Sequence, residues 1–484
     1  MKRAKRKWIA LSCSVAALIA GVNFSSFVGK TTAETPLSTG VSPLSTGEAS
    51  VASEYVSAAA GSSIVEKVLG EKINNVNTDK YGRCGGRSHM QGACVDSDFK
   101  YMYFSYTDVL AKVEIATGEL VASVVGFDGH IGCLDFYDGY VYASLPTGTK
   151  SYIAVFDPDQ LTSVGMNIKT MKNANAVRGI LLDEPTRRER DAVDPNLFIG
   201  QSGDAYGHYL GNTSNDGVTI GKWPGGTDNE LYLITTTGTL KRQGAPRYDN
   251  MYTVVYFYKL SDIWKTEGNT WTRPFSNERA LAPEIEDGEA LSTAKIMYVF
   301  HGNMNYSIQN IEYEWDTGDL SAYCYESIDG FSESMFVIDG SVEPTYKTLE
   351  LGQNNEMPSK VDSMYAKWLA EAYATDANRN GKIEEDEYLK GYVASLKCIC
   401  GDEHSHSAEH VGEEKWGYTG IKKADQSICS LPPPGNSSAA MMWIGSPSNE
   451  ENVDYFFACL GSTDVRLYKR TTLDGRMTFE LVNF

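Results

Sequence analysis

Residues 101–125 are YMYFSYTDVLAKVEIATGELVASVV, which divides into three short runs of β-branched and aromatic residues. The runs are Tyr101–Ser105, Leu110–Ile115 and Leu120–Val125, and Thr117 and Gly118 separate the last two. Runs of this kind, bounded by Gly, Asp and Thr, predict strands that are joined in an antiparallel meander. This stretch therefore predicts one small antiparallel sheet.

The same pattern recurs along most of the chain. Further runs of this type occupy residues 130–134, 140–144, 152–156, 216–220, 231–234, 308–313, 438–444, 455–459 and 465–468. Radial repetition of small antiparallel sheets leaves few exposed strand edges, which is the principle of a β-propeller. The sequence predicts a mainly β fold, a propeller of five to seven blades in residues 61–350 with a final blade in 416–484. A β-sandwich or a pair of β domains is the alternative.

Two short stretches, each with a turn and part of a flanking strand, resemble a known family. Lys112–Glu119 (KVEIATGE) and Tyr313–Asp319 (YEWDTGD) resemble phrases in propellers of the glutamine cyclotransferase and lactonase type. The resemblance covers part of the chain and includes no diagnostic catalytic motif. It implies a propeller, with a hydrolase or a cyclising transferase as a possible activity.

In a propeller, the first strand of each blade lines a central channel. The starts of these strands would bring together Gln91, His130, Asp216 and Gln309. Such a polar ring suits a small-molecule, glycan or protein ligand, a second metal or an acid–base pair. The catalytic candidates are His130, Asp216 and Gln309, and the alternative is that these residues only bond backbone or water at the channel mouth. Three more histidines are nearby in sequence: His89, His208 and His301.

Residues 376–387 (DANRNGKIEEDE) match the complete calcium loop of the EF-hand. Calcium takes six to eight oxygen ligands, and Gly381 stands where this loop must turn sharply. Carboxylate and amide side chains occupy loop positions 1, 3, 5, 9 and 12, and position 7 supplies a backbone carbonyl. The predicted calcium ligands are Asp376, Asn378, Asn380, Lys382 (through its carbonyl), Glu384 and Glu387.

Both flanks of this loop carry apolar residues at helical spacing. The stripes are Val361, Met364, Trp368, Leu369 and Ala372 before the loop, and Leu389, Tyr392, Val393 and Leu396 after it. The segment from Ser359 to Leu396 resembles the EF-hand family, which implies a helix on each side of the loop. No second loop is present in the sequence. We therefore expect one EF-hand, inserted at 355–415 before the final blade, with calcium in a structural role.

A third cluster follows the predicted hand. It consists of Cys398, Cys400, Asp402, Glu403, His404, His406 and His410. Imidazole and thiolate are ligands for transition metals. The spacing matches no zinc signature, so the preferred interpretation is a solvated loop, with metal binding as the alternative.

The first 33 residues have the features of a secretory signal peptide. Five basic residues in positions 1–7 precede an apolar run from Trp8 to Val22, and Thr31–Ala33 resembles a cleavage site. An uncleaved membrane anchor is the alternative. Residues 34–60 repeat Pro-Leu-Ser-Thr-Gly within a Ser-, Thr-, Ala- and Gly-rich stretch, which predicts a disordered linker. Secretion permits disulfides, and Cys84 with Cys94 is the easiest pair to imagine.

Charge and composition limit the function further. The formal net charge is −20 at pH 7, which argues against nucleic acid or an anionic membrane as a partner. The leading hypothesis is a secreted calcium-binding propeller. The alternatives are an extracellular hydrolase or cyclising transferase that acts in the channel, and a surface adhesion or carbohydrate-binding module.

Overall fold

The computed structural model describes the β-rich body of the chain. The described residues are 64–77, 90–127, 131–147, 150–173, 176–182, 215–237, 252–265, 295–300, 308–324, 334–348, 390–399, 434, 440–460 and 464–484. The predicted leader (1–33), the linker (34–60) and the calcium loop (376–387) lie outside these ranges.

The described chain begins with helix α1 (residues 64–70) and strand β1 (Asn75–Asn77). Blades 1 and 2 follow. Blade 1 contains β2 (Met90–Val95), β3 (Tyr101–Tyr106), β4 (Val109–Glu114) and β5 (Glu119–Val125). Blade 2 contains β6 (Leu134–Tyr137), β7 (Tyr140–Thr147), β8 (Lys150–Phe156) and β10 (Val177–Leu182). Between β8 and β10 lie a 3-10 helix (Pro158–Gln160), β9 (Met166–Asn167), which pairs with β5, and helix α2 (Ile168–Asn173).

Blades 3, 4 and 5 complete the set. Blade 3 contains β11 (Asn215–Gly221), β12 (Tyr232–Thr237), β13 (Tyr252–Lys259) and β14 (Lys295–Phe300), with helix α3 (Leu260–Lys265) after β13. Blade 4 contains β15 (Ile308–Tyr313), β16 (Leu320–Cys324) and β17 (Ser334–Ile338). Strands β18 (Thr345–Thr348) and β19 (Lys390–Val393) then extend the sheet of blade 3. Blade 5 contains β20 (Met441–Gly445), β21 (Val453–Leu460), β22 (Asp464–Leu473) and β23 (Arg476–Leu481).

The five sheets form a closed ring. The first strands β2, β6, β11, β15 and β20 each contact the next, and β20 also contacts β2. Strand β1, from the start of the described chain, pairs with β22 of the last blade, Val76 standing opposite Val465. This arrangement is a five-bladed β-propeller, at the lower end of the predicted range. The sandwich alternative is wrong, because two facing sheets would not place five first strands in a ring.

Apolar side chains fill the junctions between blades. One cluster lies between blades 5 and 1, one between 1 and 2, one across 2, 3 and 4, and one between 4 and 5. Because each sheet is covered on both faces, inner strands have continuous burial instead of alternation, as in β20 and most of β15. Several predicted strands are confirmed within a residue or two, including β3, β4, β5 and β11.

The two stretches that carry the family resemblance, Lys112–Glu119 and Tyr313–Asp319, form the same kind of hairpin turn. In each, the Thr hydroxyl accepts a bond from the backbone two residues on, Thr117 from Glu119 and Thr317 from Asp319. The glycine between them has positive φ in both turns. The first turn joins the third and fourth strands of blade 1, and the second joins the first two strands of blade 4. The sequence pattern therefore predicts a local turn, but it does not predict which two strands of a blade the turn joins.

Residues 390–399 form an extended segment, the strap, that crosses three blades. Its strand β19 pairs with β14 and β18 of blade 3. The Lys397 backbone then donates to Val337 O of blade 4 at 2.9 Å, and Ile399 O accepts from Met477 of blade 5 at 2.8 Å. The Lys397 ammonium adds a 2.6 Å ion pair with Asp319.

The strap corrects two sequence expectations. The predicted helix after the calcium loop is wrong at Tyr392 and Val393, which lie in a strand. Tyr392 is exposed and Val393 is buried, a period of two that a strand at the free side of β14 satisfies. Residues 390–399 therefore belong to the propeller and not to the insertion predicted at 355–415. The predicted disulfide is also corrected, because Cys94 has a free, buried thiol.

Candidate functional site

The starts of the inner strands place polar residues around the channel. Pairing is interrupted at Gln91 in β2, at Asp216 and Gly217 in β11, and at Gln309 in β15. Each interruption is a β-bulge, which redirects side chains near the end of a strand. Three of the five inner strands therefore carry a bulged polar residue at the same end of the channel.

Side chains of the inner strands bond to the backbone of the next blade. Asp135 accepts bonds from Ile220 N at 2.6 Å and from the Thr219 hydroxyl at 3.0 Å. Thr219 in turn accepts from Tyr313 N at 3.2 Å, and Glu312 accepts from Trp443 N at 3.3 Å. One repeated contact therefore joins blade 2 to 3, 3 to 4 and 4 to 5. It makes Asp135, Thr219 and Glu312 structurally equivalent.

Two residues before Asp135 and Glu312, Cys133 and Asn310 form a buried polar bridge between blades. The Cys133 thiol lies 2.7 Å from Asn310 Oδ1, and Asn310 Nδ2 donates to Met441 O at 3.2 Å. Cys133 and Asn310 are both fully buried. Blades 2, 4 and 5 are thus linked through one amide. This bridge separates the end at Asp216 from the layer that contains Asp135 and Glu312.

The Asp216 residue is partly exposed, and its carboxyl receives no hydrogen bond from the described residues. Burial among protein atoms raises its pKa to about 7. The Asp216 backbone carbonyl is held firmly, since it accepts from Cys133 N at 3.0 Å and from the Ser144 hydroxyl at 2.7 Å. A fixed backbone with an unpartnered, near-neutral carboxyl is suited to bind or transfer a proton.

Beyond the bridge, two more carboxyls have perturbed titration. Burial raises the pKa of Asp135 to about 6, against the effect of its three hydrogen bonds. Burial also raises the pKa of Glu312 well above its ordinary value, and the negative charge of Asp135 acts in the same direction. Among the described residues, no basic side chain contributes to either pKa shift. Burial therefore favours the protonated form of both carboxyls, whereas the hydrogen bonds that they accept from the next blade favour the ionised form.

Among the predicted channel residues, Asp216 and Gln309 lie at the starts of neighbouring inner strands, and Gln91 lies on β2. His130 lies outside the described residues, as do His89, His208 and His301. The sequence analysis missed Asp135, Asn310 and Glu312. A signal for them exists in the spaced pairs Cys133-x-Asp135, Gly217-x-Thr219 and Asn310-x-Glu312, the last two of which begin at a bulged position or one residue after it.

The segment that contains the predicted calcium loop is joined to the propeller by two paired strands. Strands β18 and β19 are antiparallel, and Thr348 pairs with Lys390. Residues 349–389 therefore leave and re-enter the sheet side by side, and Glu387 precedes Lys390 by three residues. All six predicted ligands lie outside the described residues. In the cluster that follows, only Cys398 is described.

No three His, Cys, Asp or Glu side chains within the described ranges meet in a group that could hold a metal ion. No helix within those ranges is long and apolar enough to cross a membrane.

Comparisons with known proteins give no family. No family model and no curated protein matches the chain. Solved structures with similar coordinates include Kuenenia stuttgartiensis hydrazine synthase, with 10% identity, a TM-score of 0.28, and coverage of 81% of this chain and 83% of that one. The β-propeller domain of Myceliophteria thermophila Cps50 (Swd1) has 7% identity, a TM-score of 0.23, and coverage of 52% and 71%. The computationally designed Ika4 protein has 10% identity, a TM-score of 0.20, and coverage of 49% and 86%.

Proposed function

We propose that this protein is a secreted five-bladed propeller in which residues 376–387 bind Ca²⁺ and so stabilise the ring. The chemistry of the donor set supports calcium. Asp376, Glu384 and Glu387 supply carboxylates, Asn378 and Asn380 supply amide oxygens, and hard oxygen ligands of this kind suit Ca²⁺. The basic leader and the acidic chain support an extracellular location, where calcium is the expected partner.

The observation that carries a structural role for calcium is the pairing of Thr348 with Lys390. Because Glu387 is three residues before Lys390, a metal that holds Glu387 restrains the chain as it enters the strap. The strap bonds to blades 3, 4 and 5. Calcium in the loop would therefore restrain a segment that joins three blades. This restraint would not require a second EF-hand.

Calcium should raise the midpoint of thermal unfolding of the full protein, because it binds the folded loop and not the unfolded chain. At a hundredfold excess over the dissociation constant, the gain is about 2.7 kcal/mol. Glu387→Gln removes the bidentate ligand and should abolish most of the increase. Lys382→Ala is the matched control, since position 7 contributes only its carbonyl, and it should keep the increase. Equal midpoints of the parent protein in calcium and in chelator would refute the proposal.

A second candidate function, favoured by the unpartnered Asp216 carboxyl, is ligand binding or acid–base chemistry at the channel entrance. A small hydroxylated ligand or glycan offers hydroxyls to Asp216 and to the amide of Gln309. An enzyme of this type, a hydrolase or cyclising transferase, would use Asp216 as the proton carrier. A panel of fluorogenic glycosides and esters tests this. The expected activity is lost in Asp216→Asn and has a pH limb near 7, and activity unaffected by Asp216→Asn eliminates this role.

A further inference from the structure

Arg470 is the centre of a buried ionic network where blade 5 meets blade 4. It stands opposite Asp454 in the ladder of β21 and β22, and its Nε donates to Asp454 Oδ2 at 2.9 Å. Its two terminal nitrogens donate to the two carboxylate oxygens of Glu314, at 2.6 and 2.5 Å. All three residues are buried. One cation is therefore shared by two carboxyls away from water.

The turn between β15 and β16 extends this network to the strap. Asp319, at the end of the turn, forms the ion pair with the Lys397 ammonium, and the Lys397 charge also acts on Glu314. Three buried carboxyls (Glu314, Asp319 and Asp454) thus face two cations. The exposed Asp316 in the same turn adds a further negative charge beside Asp454. The network therefore has one buried carboxyl more than its cations can neutralise.

The hydrogen bonds show where an extra proton would bind. Both oxygens of Glu314 have partners, in Arg470 and in the Ser321 hydroxyl. Asp454 uses only Oδ2, and its Oδ1 is buried with no hydrogen-bond partner among the described residues. A buried anionic oxygen without a donor is costly, and a neutral carboxyl at the same place costs less. Oδ1 of Asp454 is therefore the atom that favours a proton.

We propose that this junction is a proton-binding site, at which Asp454 takes up one proton on Oδ1 as pH falls and so tightens the contact of blades 4 and 5. It goes beyond the calcium proposal, because none of these groups lies in residues 376–387. After protonation Oδ2 still accepts from Arg470, Glu314 stays ionised, and the buried charges balance. The proton comes from water, and no other bond changes.

The pKa values of the two carboxyls agree with this assignment. Burial raises the pKa of Asp454 to about 7, against the charge of Arg470. Burial alone would also raise the pKa of Glu314, but Arg470 holds it below its ordinary value. Because the folded protein binds the Asp454 proton more tightly than the unfolded chain does, the stabilisation is fully present below about pH 4. It is lost as pH rises to about 7.

Denaturation of the full protein in urea, from about pH 4.5 to about pH 8, compares the parent with Asp454→Asn, which cannot ionise. The unfolding constant of the parent divided by that of the variant should rise by up to about tenfold per pH unit, the limit for one linked proton, and level off above about pH 7. The matched control is Glu450→Gln, because Glu450 in blade 5 has its own cation, Lys469. Its ratio should change by no more than about fivefold, as for an exposed ion pair. A constant ratio for Asp454→Asn overturns the proposal.

Carbon-13 NMR of the aspartate carboxyls in the native protein is the second measurement, and it holds even if Asp454→Asn does not fold. One signal, absent in Asp454→Glu, should titrate near pH 7. Glu314→Gln leaves Asp454 as the main counter-ion of Arg470, so the same transition should move down by about one pH unit or more. A transition near pH 4 in the parent overturns the proton site. An unmoved transition in Glu314→Gln overturns the excess of carboxyls as its cause.

Discussion

Glu314 at the junction of blades 4 and 5 and Asp216 at the entrance of the channel are carboxyls whose pKa values shift in opposite directions. Asp454, the second carboxyl beside Arg470, has a pKa raised to about 7, because desolvation there outweighs the charge of Arg470. At the junction, Arg470 lies between Glu314 and Asp454 and forms a bidentate pair with Glu314, at 2.6 and 2.5 Å. Burial alone would raise the pKa of Glu314, but the charge and hydrogen bonds of Arg470 hold it below its ordinary value. At the entrance, Asp216 has neither a cation nor a hydrogen-bond donor among the described residues, and desolvation raises its pKa to about 7.

The difference shows that burial does not by itself define the state of a carboxyl. A buried carboxylate with a bidentate arginine remains charged and joins two blades. A carboxyl without a partner gains a proton near neutral pH and is available to a ligand. The pair of Glu314 and Arg470 therefore joins two blades as ions, whereas Asp216 keeps a raised pKa, which is a common feature of functional carboxyls.

The largest expected effect is at the junction. Arg470→Met leaves Glu314 and Asp454 buried without a cation, and should lower the free energy of unfolding by about 3–5 kcal/mol. Denaturation in urea measures the loss. The control is Arg466→Met, because Arg466 forms a partly exposed pair with Asp464 and should contribute about 1 kcal/mol or less. Equal effects of the two substitutions would show that the buried cation has no special role.

An intermediate effect is expected at the bridge. Asn310→Ala removes the bonds to Cys133 and to Met441 O, and should lower the free energy of unfolding by about 1–3 kcal/mol. Asn483→Ala is the control, because the exposed amide of Asn483 bonds only its neighbour Leu481 O and should change stability by less than about 0.5 kcal/mol. A neutral Asn310→Ala would mean that the bridge does not hold the blades together.

The smallest effect is expected at the entrance, and it depends on pH. The pKa of Asp216 is higher in the folded than in the unfolded protein, so folding favours the protonated form. Ionisation of Asp216 therefore destabilises the folded state. This contribution lowers the free energy of unfolding as pH rises from about 4 to about 7. Asp216→Asn should stabilise the protein at pH 8, by an amount on the order of 1 kcal/mol because the group is partly exposed, with little effect at pH 4.

The control for this prediction is Asp228→Asn, at an exposed aspartate in the same blade. Thermal unfolding followed from pH 4 to pH 8 is the measurement. If the difference between Asp216→Asn and the parent protein does not change with pH, the raised pKa of Asp216 is incorrect. The acid–base role proposed for this residue would then lose its support.

Features that depend on neighbouring residues could be predicted from the sequence alone. β-Branched and aromatic runs such as Tyr101–Ser105 specify strands, and Thr-Gly turns specify hairpins, because both depend on neighbouring residues. The resemblance of the hairpins to one family was too local to locate them in a blade. The calcium loop is equally local, so its ligands are predicted from spacing alone, and they stay a prediction. The positions of Asp216 and Gln309 on inner strands followed once a propeller was assumed.

The remaining features depend on residues that are distant in sequence. Tyr392 and Val393 fit a helical stripe in sequence, yet the free edge of β14 and the pairing with β18 make them a strand. Asp135 and Glu312 are unremarkable among 63 acidic residues until the ring places each beside the backbone of the next blade. Ring closure by β1 also requires a partner at the opposite end of the chain. The tertiary structure decides these features, because edge pairing and burial are properties of the neighbours that folding supplies.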